Sequence, residues 1–325
     1  MKYVIIATTA LGLTTGAASA QTSWDFSTPW PAGNFIAQTS VEFADAVREA
    51  TDGSVDITVH TGGEIGVTAA QSMSAVEDGI VQMATALLFL QAGDEPALAM
   101  DTLPYLIQGQ EEMAEFLNFA RPLYDEIAER NNQKILYYIP WPSPGVYSRS
   151  PIASAEDMAN QRIRAFNAAS FEFLSNIGAS PLEMPWGDVP PSLASGAIDG
   201  VATSSSSGVD GRLWQFTDYF NPLNWSTSAE AVTVNLDAWN ALSEDERNTI
   251  EALATEMQPA FWAVSAAEDD GKVEILEENG ITVLHADESL RAAMAEGGRP
   301  MWDAFMDRVP EARDVIEQYA DHMDK

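Results

Sequence analysis

The six residues Val55-Asp56-Ile57-Thr58-Val59-His60 alternate apolar with polar, the period-2 pattern of a strand with one buried face. Gly53 precedes them, and the glycine-rich turn Thr61-Gly62-Gly63-Glu64-Ile65-Gly66 follows. Upstream, Trp24 to Thr28 predicts a short strand. Asn34 is placed to cap a helix whose apolar face is Ile36, Phe43, Ala44 and Val47. Strand, helix and strand in this order form a β-α-β unit, so a parallel sheet is expected. A helix from about Ala69 to Gly79 leads into the apolar run Met83 to Leu90, which reads as a fully buried strand. A helix over Gln110 to Asn131 and a strand over Lys134 to Ile139 continue the alternation.

Pro140, Pro142, Pro144 and Gly145 then fall within six residues, too dense for a helix or a central strand, and predict a crossing between two lobes. The same grammar resumes beyond it. A helix starts at Ser154-Ala155-Glu156-Asp157, a strand covers Arg162 to Phe166, a helix covers Ser170 to Ile177, and Pro185-Trp186-Gly187-Asp188 follows. Val201 to Gly208 reads as a loop of small residues, and Ala231 to Asn235 as a strand. Ser243-Glu244-Asp245-Glu246 is a capping box opening a long helix. Its apolar positions Ile250, Leu253, Met257, Phe261 and Val264 keep helical spacing, so it is expected to run past Glu268.

The N-terminus changes the picture of where the chain works. Met1-Lys2, an apolar run from Tyr3 to Leu13 and the small residues Ala18-Ser19-Ala20 have the layout of a cleavable secretory signal, with a mature N-terminus expected at Gln21. The apolar stretch is shorter than the ~20 residues of a membrane span, and no later segment approaches that length. Residues 1–20 are therefore assigned to a signal peptide and the remainder to the periplasm, with no direct membrane anchor. At 325 residues the chain exceeds the usual single-core size. Lobe I is expected over 21–142 plus about 235–272, and lobe II over 143–234 plus about 273–325.

Cysteine is absent, which excludes disulfides, thiolate metal sites and thiol catalysis. Against 49 acidic residues stand only 16 basic ones, spread along the chain, for a net charge of −33. This balance argues against nucleic acid or an anionic membrane surface as a partner and fits a solvated surface. His60, His285 and His322 have no partners at metal-ligand spacing. There is no G-x-S-x-G elbow, P-loop or G-x-G-x-x-G, and Glu268-Asp269-Asp270 reads as a solvated helix face. No catalytic residue, metal or cofactor is expected. The pair Arg162 and Arg164 stands out, because basic residues are scarce and strand alternation puts both on one face. A guanidinium in a cleft offers a planar fork to a carboxylate; the same pair on a surface would form salt bridges with the abundant Asp and Glu.

An ordered set of segments carries a family resemblance. It comprises the Gly53 to Val59 strand with its glycine turn, Asp101-Thr102-Leu103-Pro104-Tyr105-Leu106, Ser154-Ala155-Glu156-Asp157-Met158-Ala159-Asn160-Gln161-Arg162-Ile163-Arg164, Gly178 to Val189 and Leu193 to Gly200. In this order the chain resembles the extracytoplasmic binding proteins of tripartite ATP-independent periplasmic (TRAP) transporters, of the dicarboxylate-binding type. The resemblance implies an α/β fold of two lobes, each a mixed sheet flanked by helices, with crossing strands, a long bridging helix and closure on the ligand. It also implies a monomer that delivers solute to a small and a large membrane subunit, although a relative serving a sensor would look the same.

By position in that pattern, Arg164 matches the carboxylate-clamping arginine, while Arg162 is read as structural. Thr203 stands in the place of a ligand-supporting asparagine, Trp225 where many members have histidine, and Trp30 in the first loop that touches ligand. Pro144 falls where the sialic-acid branch has a second arginine, and Leu87 at the matching place in the first lobe. Trp141 and Trp186 are expected neighbours. With one arginine and several apolar positions, the expected ligand is a monocarboxylate with an apolar or aromatic body. A betaine-like zwitterion whose cationic group is assisted by Glu230 is the alternative.

Overall fold

The computed structural model describes residues 21–325; the expected signal peptide lies outside the described residues. Eleven strands are present among them: β1 Thr22–Ser27, β2 Val55–His60, β3 Met83–Leu87, β4 Gln133–Pro140, β5 Gly145–Ser148, β6 Ile163–Ala165, β7 Leu182–Glu183, β8 Gly200–Thr203, β9 Tyr219–Asn221, β10 Ala229–Asn235 and β11 Thr282–Val283. They form two sheets, one in the order β2-β1-β3-β10-β4 and the other β11-β9-β5-β8-β6-β7. The parallel start predicted by the β-α-β unit is present in β2, β1 and β3. Each sheet then takes one antiparallel strand: β10 lies between β3 and β4, and β5 lies between β8 and β9. Both sheets are mixed and flanked by helices, the expected two-lobed α/β fold.

The proline-rich segment 141–144 does cross between sheets, joining β4 to β5. The second crossing, however, lies between Asn221 and Ala229. Residues 229–234, assigned from sequence to lobe II, belong to an interior strand of lobe I, between β3 and β4. The C-terminal assignment to lobe II also fails in part. The Glu288–Gly298 helix packs on the second lobe, but Trp302, Phe305, Ile316 and Tyr319 enter the first lobe's core beside Phe116 and Tyr124. Local patterning marks a strand or an apolar helix face without saying which of two equally apolar cores receives it.

Local sequence rules account for most element ends. The Phe35–Ala50 helix is capped by Asn34, whose side chain accepts the Ile36 N–H at 2.9 Å. Ser154 and Ser243 each complete a capping box. The long helix runs over Glu244–Glu278, past Glu268 as its apolar spacing predicts. The segment read as a small-residue loop is instead the buried strand β8 followed by a Ser205–Asp210 helix. Burial of Ser205 and Ser206 against the long helix explains why: Ser205 bonds Asp269, and Ser206 donates to Glu268 at 3.0 Å. Glu268 and Asp269 are therefore interlobe contacts rather than a solvated face; Asp270 is exposed.

Gly145 opens β5 directly after the crossing, and a Cβ there would overlap the Asn221 carbonyl oxygen and the Phe220 ring. Gly145→Val is expected to cost ~2–3 kcal/mol of stability. An unchanged urea midpoint in that variant would show that β5 and β9 do not approach this closely.

Candidate functional site

Three parallel neighbours, β7, β6 and β8, end on the same side of the second sheet, the side on which open α/β sheets bind ligands. Arg164 on β6 sits there, 6% exposed. Its Nε donates to the Met184 carbonyl at 3.1 Å and its Nη1 to the Ala202 carbonyl at 3.2 Å, just beyond β7 and within β8. A guanidinium has five N–H donors, so three remain. Among the described residues no carboxylate forms an ion pair with it, and Glu183 acts on it only through space. Burial pulls its pKa down to about 10, far enough above neutrality that the cation persists. Arg162, by contrast, is exposed and forked onto Asp199, with Nε to Oδ2 at 2.8 Å and Nη2 to Oδ1 at 2.5 Å. The two arginines thus divide into a paired surface cation and an unpaired buried one.

Around Arg164 the second lobe assembles several of the residues singled out by the sequence. The guanidinium lies over the Trp186 ring, 5.8 Å from its centroid. Thr203 faces Gly145 across β8 and β5, which brings Pro144 to the same end of the sheet. Trp225 is wholly buried in the second-lobe core, stacked on Phe166 with centroids 6.4 Å apart and packed on Phe173. Its indole nitrogen has no hydrogen-bond partner among the described residues.

The first lobe supplies a second group. Glu230 on β10 is fully buried, with Leu87 opposite it on β3. Trp30 donates its indole N–H to Glu230 Oε1 at 3.0 Å, and Trp141 donates to Oε2 at 2.8 Å. The two indoles meet edge to face, 4.8 Å between centroids, and Phe35 packs on Trp141. Burial pushes the Glu230 carboxyl up to about 7, while the bonds from Trp30, Trp141 and Thr85 pull it back.

The two groups face one another through contacts that the sequence reading did not single out. Phe166 lies in the bend just after β6, two residues beyond Arg164, and it meets Phe89 of the first lobe at 5.3 Å. Its place past the strand end is why alternation alone does not single it out. Asn167 donates to Thr102 at 3.0 Å, and Asn34 donates to Asp210 at 2.8 Å, both between lobes. These pairs have no signature in sequence, because their partners are set by how the lobes meet.

The family model described as bacterial extracellular solute-binding protein, family 7 (DctP), matches residues 26–308. The chain belongs to this family. Its members are solute-binding receptors of TRAP transport systems and not enzymes. A marine metagenome TRAP binding protein specific for pyroglutamate is 25% identical, with a TM-score of 0.86 over 93% of this chain and 99% of that one. A Bordetella pertussis extracytoplasmic solute receptor binding pyroglutamic acid is 24% identical, also with a TM-score of 0.86, over 92% of this chain and 99% of that one. The ectoine-binding periplasmic protein TeaA of Halomonas elongata is 24% identical over 289 residues, 81% of this chain and 84% of its own length. Among the described residues of this DctP-family chain, no helix is long and apolar enough to cross a membrane.

Proposed function

We propose that this binding protein captures a monocarboxylate with a ring or other apolar body between its lobes and delivers it to the membrane subunits of a TRAP transporter. The observation that carries the reading is Arg164, a buried cation with three free donors and, among the described residues, no acidic partner, in a chain of net charge −33. A buried charge without a partner is costly, and a carboxylate ligand supplies the partner in a fork geometry. In this reading Trp186 and Phe166 bound the ligand from the second lobe, with Trp225 a core residue backing Phe166, and Trp30, Trp141 and Leu87 from the first. Thr203 contributes a hydroxyl and Pro144 an apolar corner. The contacts Asn34 to Asp210 and Asn167 to Thr102 belong to the closed form.

A second carboxylate would meet no second cation at this site, so four-carbon dicarboxylates should bind weakly. The zwitterion alternative rests on a cationic group held over a ring face with Glu230 assisting; both Glu230 oxygens already accept indole protons, which favours the monocarboxylate. Pyroglutamate, bound by two of the relatives, is a cyclic monocarboxylate with one charge to match, though its lactam ring adds an amide N–H and C=O to an otherwise apolar body.

Mass spectrometry of small molecules released on denaturing the natively purified protein is expected to yield such an acid. A thermal-shift panel complements it, since a ligand at 100 times its Kd adds ~2.7 kcal/mol. Pyroglutamate, phenylacetate or a branched-chain carboxylate should raise the unfolding temperature by several degrees, and succinate and malate should not. A shift with succinate and none with the monocarboxylates overturns the reading.

A further inference from the structure

We propose, resting on the monocarboxylate reading, that Glu230 is a positioning residue: its carboxylate locks the indoles of Trp30 and Trp141 into the wall against which the body of the ligand packs, and so sets selectivity for that body. Glu230 is the second residue of a seven-residue strand in which every position is buried. A buried carboxylate is retained only where hydrogen bonds compensate its desolvation. Here each oxygen takes one indole proton, from a residue in the loop after β1 and from one in the first crossing segment. Neither segment is part of a strand or helix at that residue, so their backbones do not by themselves fix the rings. The edge-to-face contact between the rings, and that between Trp141 and Phe35, follow from the shared anchor. Trp30 remains partly accessible, Trp141 is buried behind it and Glu230 is wholly buried, so a ligand meets the indole wall at Trp30 and not the carboxylate.

Glutamine has the shape of glutamate but only one side-chain acceptor; the amide NH2 that replaces the second oxygen confronts an indole N–H donor to donor. Glu230→Gln therefore frees one indole. In a Trp141→Phe background that conflict disappears, because the amide can turn its NH2 away from Trp30. The two substitutions should be strongly non-additive.

The ligand-free test uses protein carrying 15N in its tryptophan side chains, with the Trp30 and Trp141 indole resonances assigned from Trp30→Phe and Trp141→Phe. In Glu230→Gln at least one of the two should move to the position of an indole without a charged acceptor, while the other tryptophans stay in place. In the binding arm, phenylacetate and propionate are the probes. Glu230→Gln should weaken phenylacetate roughly 5- to 30-fold more than propionate, with most of that loss absent in the Trp141→Phe background. If Glu230→Gln does not fold, the single Trp→Phe variants keep the test alive, since each should shift the remaining indole and erode the phenylacetate preference. Unmoved indole resonances, or equal losses for both acids with additive variants, overturn the proposal. Loss of binding in Arg164→Ala with Glu230→Gln indistinguishable from the parent overturns this proposal alone, whereas a parent that binds no monocarboxylate overturns the functional reading beneath it.

Discussion

Arg164→Ala is expected to lower affinity for a monocarboxylate by roughly 30- to 1000-fold while leaving the fold intact. The variant removes a charge-assisted fork worth roughly 2–4 kcal/mol, which converts to that range. Two opposing effects act on the unliganded protein. The Met184 and Ala202 carbonyls lose a donor, and the molecule is relieved of a buried cation that no carboxylate neutralises. They should leave stability within about 1 kcal/mol of the parent. Arg164→Lys should rescue poorly, because an ammonium offers no planar fork and the lysine stem cannot reach both carbonyls and a ligand together. Titration calorimetry with pyroglutamate or phenylacetate checks this; unchanged affinity in both variants removes Arg164 from the site.

The second large effect concerns stability against pH. Asp101 is fully buried under the first sheet. Its Oδ2 accepts the Ala229 N–H at 2.9 Å, and its Oδ1 has no partner among the described residues. Burial pushes its carboxyl from an ordinary 3.8 up to about 8, against the pull of backbone N–H groups at Ala229, Asp101 and Thr102. The folded state therefore holds a proton that the unfolded chain releases. The stability this represents is complete below pH ~4 and is lost as pH rises through about 8. Four units at ~1.4 kcal/mol each set an upper bound on the order of 5 kcal/mol. Asp101→Asn keeps the carbonyl that Ala229 needs and cannot ionise. It should lie within about 1 kcal/mol of the parent at pH 5, because a neutral carboxyl and an amide each leave a buried donor without an acceptor, and be more stable by a few kcal/mol at pH 9. Urea unfolding at pH 5, 7 and 9 reads the divergence; parallel curves for the two proteins would show that Asp101 ionises in the fold as it does in the unfolded chain. Glu230, raised to about 7, leaves a smaller slope of the same sign in both.

What the sequence made legible was whatever depends on near neighbours. The alternation of Val55 to His60 matches β2 residue for residue, and Asn34, Ser154 and Ser243 cap the helices they were expected to cap. Scarcity of basic residues and the strand period drew attention to Arg162 and Arg164 together, and only the family resemblance favoured Arg164. Glu230 could be named but its role could not, because its partners lie 200 and 89 residues away. The boundary error at β10 has the same origin: a strand's pattern says that it is buried on both faces, not beside which strands. Val201 to Gly208 misled for a different reason. Serines and glycine favour turns in isolation, and the carboxylates that hold Ser205 and Ser206 in a helix come from a distant part of the chain.

The long helix is fastened on both sides of the cleft at almost the same place. Trp262 donates to the Tyr138 carbonyl at 2.7 Å and Ser265 to that of Pro140, both on β4 of the first lobe, whereas Glu268 and Asp269 hold serines of the second. Two residues lie between Ser265 and Glu268, less than one turn of helix. While these bonds hold, rotation of one lobe against the other is absorbed as torsion within that turn. A rod 35 residues long is in this respect a short spring, and its stiffness at Ala266 and Ala267 sets the mechanical resistance that a captured ligand has to overcome.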